Sequence, residues 1–173
     1  MLDAGGLGEY VGFTEKDVQD ICKKYPAADF REMKKWYDGY CLEDAGHIYC
    51  PDSVMHAAPR GKYASYWAAF SAFESLRLYI QMNLDGLKSA VLQMMDGEEV
   101  SLSVSMYEND LNKIETRDDV LTTLIHLGYL SYDSTRRTAR IPNLETRNNF
   151  LTQIDSEKTK EHSCKIERKP AAI

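Results

Sequence analysis

Three helix starts, each answered by a matching stop, restrict this chain more than any other feature. Thr14 with Asp17, Asp29 with Glu32, and Thr116 with Asp119 each set a capping residue three positions ahead of a carboxylate. At that spacing the cap oxygen accepts a first-turn amide and the carboxylate returns to the cap's own N–H. Phe13 and Val18 flank the first start as a hydrophobic staple. Its helix carries Val18, Ile21, Cys22 and Tyr25 on one stripe and ends at Pro26. The second carries Phe30, Met33, Trp36 and Tyr37 and stops at Asp38-Gly39, where glycine takes a left-handed conformation at little cost. Lys34 and Lys35 sit in its last turn, where the helix dipole favours cations. Trp36 continues the apolar stripe and Tyr40 begins the next segment. The third helix, "DDVLTTLIHL", ends at Gly128.

Between these anchors "HIYC" reads as a short extended piece, and Pro51 suits the first position of a helix through Val54, Met55 and Ala58. "PRGK" is a turn, and the aromatic-rich "YASYWAAFSAFESLRLYIQM" reads as helix. A further helix runs from about Leu84 to Met95 and stops before Gly97. Val100, Leu102 and Val104 alternate with polar residues and predict a strand. "YLSYD", a polar turn and "RTARI" predict a β-hairpin, and Pro142-Asn143 opens a last helix with Leu144, Leu151 and Ile154. Helix, glycine, hairpin and helix in that order form the latter part of a winged helix, with the hairpin as wing.

The expected fold is therefore mainly α: a helical lid-like subdomain over 13–97, then a winged-helix-like domain over 98–154 with one small β-hairpin. Residues 1–12 read as a flexible lead-in. Residues 155–173 are charged and poor in large apolar side chains, and read as a disordered tail. A chain of 173 residues with 43% apolar residues can bury a core without staples. Its net charge of −6 argues against a general affinity for nucleic acid or anionic membrane. The start lacks a basic region followed by an apolar run, and the four cysteines show no framework spacing. Reduced thiols in a cytoplasmic protein are the expectation.

No catalytic constellation emerges. A phosphate loop of the form G-x-x-x-x-G-K-[ST] is absent; its nearest approach, Gly61-Lys62, has His56 and Tyr63 where glycine and a hydroxyl belong. Cys41, His47, Cys50 and His56 are zinc-type donors, but their spacing matches no standard zinc motif, and the alternative is two structural cysteines with two surface histidines. No partner that would orient a cysteine–histidine pair is visible. Arg136, Arg137 and Arg140 make the wing basic, with Arg147 shortly after, which suits phosphate contact. The helix before the wing offers Asp118, Asp119, Thr122, Thr123 and His126 to solvent, without a cation to reach base edges. A protein-interaction module therefore stands ahead of a nucleic-acid reader.

"GFTEKDV", "MKKWYDGY", "IYCPDSV", "YW", "LIHLGYLSYD" and "RIPNLETRNNF" occur in that order. Together they resemble the predicted AAA-ATPase-like family of bacteria, often fused to a PD-(D/E)XK nuclease-like domain. The similarity spans roughly residues 9–154. The matching positions include Phe13, Thr14, Trp36, Tyr37, Asp38, Gly39, Tyr40, Gly128, Tyr129, Pro142 and Asn143. Cys50 and Asp52 depart from the family's usual Asn and Trp, and Ala-Ala-Phe-Ser replaces a polar stretch after Tyr66-Trp67. The resemblance implies the lid and winged-helix region that follows a nucleotide-binding core. ATP and magnesium are then expected only for an intact family member, with no cofactor on this chain. Its expected contact is a protein partner or the missing ATPase core.

Overall fold

Two three-stranded antiparallel sheets, each wrapped by short helices, replace the expected mainly α body with one hairpin. The fold is mixed α/β. The extended piece at "HIYC", the strand at Val100 and the hairpin lie where the sequence put them, whereas Phe13–Thr14 and Tyr40–Leu42 escaped it because they are too short to display an alternating pattern. The structure is a computed structural model and describes residues 10–42, 46–67, 80, 83–104 and 114–152. Most of the expected lead-in and the whole expected tail lie outside the described residues.

The first sheet contains β1 (Phe13–Thr14), β2 (Tyr40–Leu42) and β3 (Gly46–Tyr49) in the order β1-β3-β2. Helices α1 (Glu15–Lys24), α2 (Phe30–Tyr37) and α3 (Pro51–Ala57) close over it. At the start of α1, Thr14 Oγ1 accepts from the Asp17 amide while Asp17 Oδ2 accepts from the Thr14 amide at 2.9 Å. The α2 cap differs from the expected box: Asp29 Oδ1 accepts from the Arg31 amide at 2.7 Å. Val18, Met33, Tyr37, Tyr49 and Val54 form a fully buried core, with Phe13, Phe30 and Trp36 packed at its edge.

The second part begins with a 3-10 turn (Leu84–Gly86) leading into α4 (Leu87–Met95). Strand β4 (Val100–Ser101), helix α5 (Arg117–His126), strands β5 (Ser131–Asp133) and β6 (Thr138–Arg140) and helix α6 (144–152) follow. The sheet order is β4-β6-β5, so the expected hairpin gains a third strand. Beyond Ser101 the pairing continues as a single bond from the Leu102 amide to the Arg137 carbonyl. Leu87, Val91, Met94, Leu121, Leu124, Tyr129 and Phe150 make the core here. Helix α5 is buried along its whole middle, from Val120 to Ile125. Thr122 and Thr123, expected at the surface, each lie 2% exposed. Their hydroxyls donate to the Asp118 and Asp119 carbonyls one turn back, at 2.7 and 2.9 Å. That local bond satisfies the hydroxyl and lets threonine pack among apolar neighbours.

The aromatic stretch from Tyr63 does not start as helix. Residues 62–66 are irregular and Trp67 lies at a bend, while 68–79 lie outside the described residues. The Tyr66 and Trp67 amides donate to an acceptor supplied from α6.

Candidate functional site

Several residues of the sequence motifs quoted above, among them Gly39, Tyr40, Gly128 and Pro142, meet at the seam between the two parts. The seam begins where α2 ends. Tyr37 is fully buried, and its hydroxyl donates to the Ala64 carbonyl at 3.1 Å while accepting from the Ala64 amide at 3.2 Å. Asp38, 6% exposed, accepts from the Gly39 amide at 2.6 Å and faces His47 Nδ1 at 2.9 Å. Gly39 follows with a positive φ of 119°. Tyr40 crosses the seam, and its hydroxyl donates to the Gly128 carbonyl at 2.6 Å. Burial pushes that hydroxyl well above the ordinary tyrosine range. Removing it with Tyr40→Phe leaves the Gly128 carbonyl without this donor. The expected loss is about 1 kcal/mol in a urea melt; an unchanged midpoint would show that water replaces the bond freely.

At the centre lies Glu145, 2% exposed on α6. Its Oε1 accepts from the Tyr66 amide at 2.7 Å, the Trp67 amide at 2.9 Å and Ser53 Oγ at 2.9 Å. Ser53 Oγ lies equally close to Oε2. One carboxylate thus joins α3, the segment after it and α6. The main chain repeats the link, because Ser65 Oγ donates to the Glu145 carbonyl at 3.1 Å and Asn149 Nδ2 to the Trp67 carbonyl at 3.3 Å. Burial pushes the Glu145 carboxyl above its ordinary value, and the bonds from Trp67, Ser53 and Tyr66 only partly oppose that shift. Trp67 stacks on Tyr129 with ring centroids 4.8 Å apart, and Tyr129 meets Phe150 edge-on.

The remaining motif residues play local parts. Thr14 caps α1, and Asn143 Oδ1 accepts from the Thr146 amide at 2.9 Å in the first turn of α6. Phe13 and Trp36 pack on the first core. Pro142 is buried against Gly39. Ser53 and Glu145 were not singled out from sequence, although both stand inside the quoted motifs. Their neighbours gave no signal: Ser53 follows Asp52, and Glu145 stands among Asn143, Thr146, Arg147 and Asn148.

The hairpin arginines do not act as one patch. Arg140 turns inward, its guanidinium donating to the Gly39 carbonyl at 3.2 Å. Arg136 is largely exposed beside Glu99 and Asp133, at 3.8 and 3.9 Å. Arg137 occupies the turn with a positive φ of 55°. The four zinc-type donors are likewise divided. Cys41 and His47 oppose each other on β2 and β3, whereas His56 on α3 stacks on Tyr66 and Cys50 is half-buried. Among the described residues no group of three or more His, Cys, Asp and Glu side chains is placed to hold a metal. No helix among them is long and apolar enough to cross a membrane.

A surface hollow of about 400 Å³ beside the seam is bounded by Lys35, Met95, Pro142 and Arg147. Glu145 does not open into it. With its oxygens occupied by internal donors, the carboxylate is arranged to hold segments together rather than to meet a substrate. No family model matches this sequence, and no curated protein or solved structure is significantly similar to it.

Proposed function

We propose that this chain is a non-catalytic region of an AAA-ATPase-like protein and works through protein contacts. The observation that carries the reading is the destination of the motif residues. Gly39, Tyr40, Gly128 and Pro142 are used in joining two small cores through a buried bond and close packing, while Tyr37 and Asp38 hold the turn that leads to them. Selection for a rigid joint accounts for such residues without any reaction. The sequence adds that no phosphate loop is present. Protein contact is favoured over nucleic acid, because α5 is buried and Arg140 is engaged within the chain. Titration calorimetry with ATP and magnesium is expected to give no heat of binding to this chain alone. A dissociation constant of millimolar or tighter overturns the reading.

A further inference from the structure

The hollow beside the seam is built from both parts of the molecule. Lys35 stands in the last turn of α2, and Met95 ends α4. Ile141, Pro142, Leu144 and Arg147 come from the turn into α6 and its first turns. Together they bound about 400 Å³. Pro142 also packs back on Gly39, so a segment seated in the hollow touches both parts next to their joint.

Apolar side chains continue past the hollow on both of its helices. Leu151 follows Arg147 by four residues on α6, and Leu92 precedes Met95 by three on α4. Those spacings keep each pair on one helix face. Leu92 and Leu151 are 47% and 40% exposed, two of the five large apolar side chains left at the surface among the described residues.

The charge at the hollow is positive, two cations against one acid. Arg147 Nε donates to the Met95 carbonyl at 3.0 Å, which holds the guanidinium at the rim. Among the described residues no carboxylate lies within ion-pair distance of Arg147 or Lys35, although the neighbouring Lys34 is bound to Glu15 at 3.0 Å. Asp96 is the single acid among the described lining residues.

We infer that this hollow docks a protein segment that presents apolar side chains beside carboxylates. The inference rests on the protein-contact reading above and names its surface. The apolar lining receives the apolar side chains, while Lys35 and Arg147 pair with the carboxylates. A guanidinium fixed at Nε can still offer its terminal nitrogens to a carboxylate oxygen. Methionine and arginine are over-represented at such interfaces, and the flexible Met95 can adapt to the incoming side chain. A nucleic-acid strand fits less well. Its phosphates would suit the two cations, but the described lining residues include no aromatic ring on which a base could stack.

The test is a titration of the isotope-labelled full chain with the capped peptide Leu-Asp-Glu-Leu, followed by amide chemical shifts. Capped Leu-Asn-Gln-Leu is the neutral control. Saturable shifts are expected at Met95–Gly97 and Leu144–Arg147, with the neutral peptide binding about tenfold more weakly. Lys35→Gln and Arg147→Gln should each weaken the acidic peptide about threefold, the share of one exposed ion pair. Lys35 is exposed, so its variant keeps the test readable if Arg147→Gln fails to fold. Equal affinity for the two peptides, shifts centred elsewhere, or no shifts at millimolar peptide overturns the site. An oligothymidylate that moves the same amides at lower concentration overturns it too. Such results strike this hollow alone, because ATP binding is what overturns the wider reading.

Discussion

Glu145→Ala is expected to destabilise the protein by about 3 kcal/mol, while Glu145→Gln should stay within about 1 kcal/mol of wild type at neutral pH. The alanine variant leaves the Tyr66 and Trp67 amides and the Ser53 hydroxyl without their shared acceptor. Each buried orphan costs about 1–3 kcal/mol, partly offset because a desolvated charge is also removed. Glutamine keeps one carbonyl oxygen for the amides and carries no charge. Urea melts of the three proteins measure both numbers. A glutamine cost as large as that of alanine would mean that the charge itself is required.

The same residue sets a pH dependence. Because burial raises the folded-state value, its contribution is fully present below the unfolded carboxyl range and is lost as pH rises through the raised value. Stability of the wild type relative to Glu145→Gln should therefore fall from about pH 4.5 upward and then level off. Asp17 slopes the other way, since hydrogen bonds from Thr14 lower its carboxyl. Both proteins share that term, so it cancels in the difference. A flat difference between pH 4 and 8 would show that Glu145 titrates normally and is not desolvated.

The helices were legible because their signals are local. Thr14 with Asp17 and Thr116 with Asp119 form the boxes their spacing announces, and Pro51 opens α3. The sheets were legible only in part: the hairpin and the strand at Val100 could be read locally, but a two-residue strand such as Phe13–Thr14 exists only through its partners Tyr49 and Ile48, thirty-odd residues away. The aromatic segment departs from its expected helix at its start, where 63–66 are irregular, whereas Ile80 is helical and 68–79 lie outside the described residues. Its Tyr66 and Trp67 amides donate to Glu145, nearly eighty residues downstream, a partner that spacing does not reveal. The "WYDGY" stretch shows the division most plainly. Local reasoning put Trp36 and Tyr37 on one apolar stripe, yet Trp36 is only partly buried and Tyr37 is fully so. The burial of Tyr37 depends on Ala64, and the role of Tyr40 depends on Gly128. Neither partner can be inferred from spacing.

Gly39→Ala should be among the most damaging small substitutions at the described residues, at about 2–6 kcal/mol. Two costs meet there. The φ of 119° lies where a side chain is strained, at about 1–3 kcal/mol. An added Cβ would also overlap the Pro142 carbonyl oxygen and lie 2.6 Å from its carbon, which is backbone and has no rotamer to yield. Relieving that overlap means moving the turn into α6 away from β2, at about 1–3 kcal/mol more. The shift would strain the Arg140 bond to the Gly39 carbonyl and the approach of Tyr40 to Gly128, both of which cross the seam. Gly97 supplies the control. Its φ of 90° is also positive, but a Cβ there meets nothing within 4 Å. Gly97→Ala should therefore pay only backbone strain, about 1–2 kcal/mol. Equal losses for the two variants in a urea melt would remove close packing as the reason for glycine at position 39. A larger loss at Gly39, with a lower m value as the two cores begin to unfold separately, would show that this peptide holds the seam closed.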